Sequence, residues 1–125
     1  MTKKTLKDTK EAAKLIRNYC AIQERCIFDV RSKLQGWGIL YKDIREIIKE
    51  LVHHNFINES RYAKTFCRGK FNIKKWGRMK IIYEMKKKNI SEDDINQGIR
   101  IIDNHEYKKV LESLYIRKSK SIKIK

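Results

Sequence analysis

Between Arg68 and Lys80 the chain reads RGKFNIKKWGRMK, thirteen residues that hold six cations, Phe71, Trp76 and no acid. Side chains of these types bind; they do not break bonds. Lys and Arg neutralise phosphate charge, and aromatic rings offer a π face to a base or to a cation. The acid-free window is wider than this stretch. From Ser60 to Tyr83 no Asp or Glu occurs, while Arg61, Lys64, Arg68, Lys70, Lys74, Lys75, Arg78 and Lys80 do. Lys86, Lys87 and Lys88 extend the run. Exposed faces ordinarily mix the two signs, so one sign over two adjoining helices and their connection predicts a surface that tracks phosphates or meets acidic loops. The competing reading is a solvated face in a Lys-rich chain. If about five of these residues meet single-stranded phosphates, log K falls against log salt with a slope of about −3.5.

The aromatic residues divide. Phe66 stands at helical spacing from Tyr62 and belongs to a core. Trp76, next to Gly77, is a candidate platform for a base. Trp37, however, lies between Gly36 and Gly38 at a comparable turn, and two tryptophans at like places favour packing wedges. Arg61 has two readings of equal weight: a pair with Glu59 at a helix start, or a contact to a partner.

Other chemistries find no support. His53 and His54 are adjacent and would point about 100° apart on a helix, which does not suit one metal; His105 is alone. Glu92, Asp93 and Asp94 follow Ser91 and read as the favoured charges of a helix N-terminus. Phosphate-cradling Gly-rich loops, HExxH and GxSxG patterns cannot be placed. Cys20, Cys26 and Cys67 are three, so they cannot all pair within the chain, and their spacing matches no zinc pattern. The expectation is therefore no enzyme, no metal and no cofactor. The sequence has neither an apolar run near ~18 residues nor a recognisable signal peptide, so a cytoplasmic monomer with no membrane role is expected.

The elements that position the cations are read as helices throughout. Proline is absent and glycine numbers five in 125 residues, a composition that suits helix interiors. Helical periodicity places a first helix at about Asp8 to Ile22, with Leu15, Ile16, Tyr19 and Cys20 on one stripe. A second runs from about Cys26 to Gln35 and stops at Gly36 and Gly38. A third spans about Tyr41 to His54, with Ile44, Ile47, Ile48, Leu51 and Val52 inward and Asn55 as a left-handed cap. Asn58 or Ser60 opens a fourth, Gly77 precedes a fifth that closes at Asn89, and Ser91 opens a sixth. A shift of 51 residues lays Ala12 on Ala63, Val30 on Ile81, Leu34 on Met85, Ile39 on Ile90 and Ile44 on Ile95 without a gap. Such repetition predicts tandem three-helix units in an elongated, curved all-α body. Residues 9–57 form the first unit and 58–103 the second. Residues 104–125 carry the first helix of a third, with Tyr107 and Leu111 in the places of Tyr62 and Phe66, and a basic tail. That last helix is expected to pack back on the second unit, or else the chain stops short of its natural end.

The net charge of +16 repels itself in a compact body, which makes a polyanion the simplest partner. The Lys-rich composition of a source genome is the bland alternative.

The stretch LVHHNFINESRYAKTFCRGKFNIKKWGRMKIIYEMKKKNIS resembles the RecX family, regulators of the RecA recombinase. The residues that carry the resemblance are Phe56-Ile57-Asn58-Glu59-Ser60-Arg61-Tyr62-Ala63, then Lys75-Trp76-Gly77, then Lys88-Asn89-Ile90. In the first unit, Val30 to Leu34 ahead of Gly36-Trp37-Gly38 also fits. The similarity runs from about Thr9 to Lys118. Family members usually hold three three-helix units, and this chain ends early in the third. The resemblance implies a regulator without catalysis, acting in homologous recombination, DNA repair and the SOS response. It would bind along the groove of the RecA–DNA filament, contact adjacent protomers and suppress ATP turnover and strand exchange. The implied partners are the RecA filament and single-stranded DNA, with duplex DNA as a further candidate. Two rivals stand beside it: a nucleic-acid module of helix-turn-helix type that ignores RecA, and a helical adaptor for an acidic protein.

Overall fold

The computed structural model describes residues 8–103; among them the regular elements are all α-helices and no strand occurs. The order is α1 (Thr9–Ile22), α2 (Ile27–Gly36), α3 (Tyr41–His53), α4 (Glu59–Asn72) and α5 (Arg78–Lys87). A further helix, α6, starts at residue 92 and continues to 103, the last residue described. The tail helix read from residues 104–125 lies outside the described residues.

Local chemistry sets the ends. The Asp8 carboxylate accepts from the Glu11 N–H at 3.3 Å, Asn58 Oδ1 from the Arg61 N–H at 2.9 Å, and Ser91 Oγ from the Asp94 N–H at 3.2 Å. A cap of this kind contributes about 1 kcal/mol by satisfying an otherwise orphaned donor. Asn55 and Asn89 leave their helices in the left-handed region, at φ 64° and 60°, and Gly38 does so at 79°, the turn that closes a helix end.

The 51-residue repeat extends to single hydrogen bonds. In the first unit the N–H of Ile39 donates to the carbonyl of Leu34 at 3.2 Å and that of Gly38 to Gln35 at 3.0 Å; in the second, Ile90 donates to Met85 at 3.2 Å and Asn89 to Lys86 at 3.0 Å. α2 and α5 therefore start, end and cap in the same register. The fold is two tandem three-helix units.

Each unit has its own core. Ala12, Ile16, Val30, Leu34, Ile44 and Leu51 belong to the first. Tyr62, Ala63, Cys67, Ile81, Met85 and Ile95 belong to the second. Full burial of one such aliphatic side chain is worth about 1.5–3 kcal/mol, so each cluster holds a unit whose helices would be too short to stand alone. Two details differ from the periodic reading. Val52 is 45% exposed, because the inward stripe of α3 narrows to Ile48 and Leu51 at its last turn. Cys26 lies before α2 in the chain, yet it is buried in the second core. That thiol is where the first unit plugs into the second.

Candidate polyanion-binding face

The eleven basic residues predicted for the face come from α4, the connection after it, α5 and the residue that follows. The structure sorts them into two groups. Four have carboxylates folded against them. Arg61 Nε lies 2.5 Å from Glu24 Oε2, Arg78 Nε 2.5 Å from Asp103 Oδ1, Lys87 Nζ 3.6 Å from Glu84 Oε1, and Lys88 Nζ 2.9 Å from Asp29 Oδ1. The other seven, Lys64, Arg68, Lys70, Lys74, Lys75, Lys80 and Lys86, have no carboxylate partner among the described residues.

Arg61 corrects one expectation. It does not pair with Glu59, its neighbour in sequence. Its guanidinium turns to Glu24 and to the carbonyl of Asn55, which accepts from Nη2 at 3.0 Å. Glu59 is occupied elsewhere: its Oε2 accepts from the Ile27 N–H at 2.8 Å, across the junction between units. Burial raises the pKa of Glu59, only partly offset by that hydrogen bond.

Lys88 is also drawn into the junction. Its ammonium donates to Asp29 and, at 3.2 Å, to the Tyr62 hydroxyl. Burial alone would lower its pKa, but the hydrogen bonds to Asp29 and Tyr62 outweigh burial and hold it above the ordinary lysine value. Arg61 and Lys88 thus fasten the first unit to the second. Three charge-assisted contacts, Glu24–Arg61, Asp29–Lys88 and Glu59 on the Ile27 amide, flank the buried Cys26.

The aromatic residues of the basic stretch are platforms for its cations. The Trp76 ring has the Lys70 ammonium 4.8 Å from its centroid and that of Lys80 at 4.4 Å, and it meets Phe66 edge-on at 6.3 Å. Arg78 lies 5.8 Å from the Phe71 centroid. Each such contact is worth about 0.5–1 kcal/mol at an exposed site. They hold long side chains in place that would otherwise wave freely. Trp76 is therefore a packing wedge roofed by ammoniums, as the comparison with Trp37 suggested.

A groove of about 440 Å³ runs between the units, and Lys70, Lys74, Phe66 and Gly69 form its second-unit wall. The opposite wall holds Tyr19 and Arg25, two residues that sequence reasoning missed, together with Glu24 and Asp29, whose carboxylates are paired to Arg61 and Lys88. Arg25 Nε donates to the Tyr19 carbonyl at 3.1 Å, and its guanidinium lies 3.7 Å from the centroid of the Tyr19 ring. No local signal marks Arg25; only the stacking of one unit on the next brings it opposite Lys70. A second cavity, about 480 Å³ on the first unit, is lined by Arg17, Glu46, Glu50 and His54. There two carboxylates outnumber the one arginine, which suits no polyanion, whereas Arg25, Lys70, Lys74 and Lys88 outnumber Glu24 and Asp29 in the groove.

Among the described residues no group of three or more His, Cys, Asp or Glu is placed to hold a metal, and no helix is long and apolar enough to cross a membrane. His54 Nε2 sits 3.1 Å from Glu50 Oε1 at the exposed end of α3.

A family model described as the second three-helix domain of RecX matches residues 58–99. The chain is 26% identical over 97 residues to the regulatory protein RecX of Prosthecochloris aestuarii, covering 78% of this chain and 64% of that protein. It is 31% identical over 99 residues to the regulatory protein RecX of Clostridium tetani, covering 79% and 44%. The crystal structure of RecX from Lactobacillus salivarius superposes with a TM-score of 0.66 at 26% identity, over 74% of this chain and 60% of that one. The chain thus spans less than two thirds of the length of each.

Proposed function

The chain belongs to the RecX family, and on that premise we propose that it is a non-catalytic regulator of the RecA recombinase. It lodges on the filament that RecA forms on single-stranded DNA and slows ATP turnover and strand exchange. The observation that carries this reading is the set of seven cations of the second unit that have no carboxylate partner among the described residues, in a chain of net charge +16. Uncompensated charge is what a polyanionic nucleoprotein surface rewards.

Within this reading the basic residues have different work. Lys70 and Lys74, with Arg25 across the groove, are placed to follow phosphates. Lys64 and Arg68, one turn apart on α4, lie outside the groove lining and add a separate basic strip. Arg61 and Lys88 fix the angle between the units and so the curvature of the surface that meets the filament.

The test is reversal of charge at residues that hold no structural pair. The variant Lys64→Glu, Arg68→Glu, Lys74→Glu, Lys75→Glu should leave the helical spectrum unchanged and remove inhibition of RecA ATPase. Full inhibition by a folded variant refutes the assignment of this face. Binding bare single strands or duplex as tightly as RecA-coated strands would instead make the chain a general nucleic-acid module.

A further inference from the structure

Helix α5 buries Ile81 and Met85 and leaves Met79 and Tyr83 on the opposite side, 81% and 61% exposed. The two are separated by four positions, so they are neighbours on the helix surface. Helical spacing puts Lys80, Lys86 and Lys87, all exposed, beside this pair; the Lys87 ammonium lies 5.3 Å from the Tyr83 centroid and that of Lys80 4.4 Å from the Trp76 centroid. Glu84, the single acid of the helix, is mostly covered and pairs with Lys87 at 3.6 Å. An apolar pair ringed by lysines therefore faces outward.

The first unit lacks this combination. At the same register, 51 residues earlier, Phe28 stands for Met79, Ser32 for Tyr83, Asp29 for Lys80 and Gln35 for Lys86. Asp29 there turns to Lys88 and not outward. The strip is a property of the second unit, although both units share one backbone register.

Phosphate and sugar reward the lysines, and a base stacks on an exposed tyrosine, but none of the three rewards an exposed thioether beside it. Protein does: Met and Tyr are enriched at the centres of protein interfaces, where a flexible thioether adapts to the side chain it meets. The lysine ring selects an acidic partner by charge complementarity. We propose that this face of α5 receives an acidic protein segment, which lays an apolar side chain between Met79 and Tyr83 while its carboxylates meet Lys80, Lys86 and Lys87. The inference deepens the reading above, on which it rests for the nature of the whole partner: it gives α5 to protein and leaves the strand phosphates to the groove.

Two synthetic Glu-rich helical peptides test it, one carrying Leu and Phe one turn apart and its twin carrying Ala at both places, alongside an oligo-dT strand. Each is titrated with the full chain, with Met79→Ala/Tyr83→Ala, and with Met79→Leu/Tyr83→Phe. The wild type should prefer the Leu/Phe peptide over its twin by about tenfold. The double alanine variant should erase that margin, the conservative variant should restore it, and oligo-dT affinity should be the same for all three. Equal affinity of the wild type for both peptides overturns the proposal, as does an equal loss of peptide and oligo-dT binding in the double alanine variant. A chain that keeps the peptide margin but ignores RecA-coated strands would refute the regulator reading and leave this face assigned.

Discussion

Lys88 and Asp29, 59 residues apart in the chain, meet with Nζ 2.9 Å from Oδ1, and the same ammonium reaches the Tyr62 hydroxyl at 3.2 Å. One lysine thus ties the end of the second helix of one unit to the second helix of the other and to the buried Tyr62 of α4. Lys88→Met should destabilise the chain by about 1–3 kcal/mol, since it leaves a largely covered carboxylate without its cation. Asp29→Asn should cost a similar amount, and the double variant less than the two together. Urea unfolding of the four proteins checks this; additive losses would mean that the contact holds nothing.

Gly98 makes a sharper steric prediction. A Cβ built there would sit 2.7 Å from Cys67 Sγ and 2.9 Å from the Ala63 carbonyl oxygen, so α6 lies directly on α4. Gly98→Ala should cost about 1–3 kcal/mol by forcing the two helices apart. Gly69→Ala, within α4 and with nothing inside 4 Å, should instead stabilise by up to about 1 kcal/mol. Thermal melts of both variants decide the matter, and opposite signs are expected.

Much of this architecture could be read from the chain, and the reason is locality. Helix ends depend on residues three or four apart, so Ser91 and Asn89 announce their ends in sequence and Asn58 stands there beside Ser60 as a candidate cap, which the structure gives to Asn58. Equivalent core positions such as Ala12 and Ala63, both fully buried, repeat because each unit solves the same packing problem. Arg61 shows where locality fails. Sequence distance favoured Glu59, but the stacking of the units brings Glu24 to the guanidinium and gives Glu59 a backbone amide to cap. The same stacking put Cys26 in the wrong unit's core and Arg25 opposite Lys70. Gly98 was illegible because a close helix crossing leaves no periodic mark. The candidate face was legible as a list of cations. Which of them are neutralised depended on carboxylates contributed by other elements.

The cysteines predict an alkaline limit. Burial pushes the pKa of Cys20, Cys26 and Cys67 up to about 11, against an ordinary 9.0. The folded state therefore holds these protons where the unfolded chain would release them. The resulting stability is fully present below about pH 9 and is lost as pH rises through about 11. The urea midpoint should fall across that window. At pH 8, Ellman's reagent should react slowly with the native chain and with all three thiols in guanidinium; fast native reaction would place a cysteine at the surface.

Salt dependence tests the regulator reading most directly. The affinity of the full chain for RecA-coated single strands, measured across a range of salt concentrations, should fall with a log–log slope of about −3.5, as expected if about five basic residues displace counterions. The Lys64, Arg68, Lys74, Lys75 charge-reversal variant should flatten that slope and weaken binding at the lowest salt. Binding that ignores salt, or a reversed variant that keeps the wild-type slope, would contradict the claim that the second unit meets the filament through its unpaired cations.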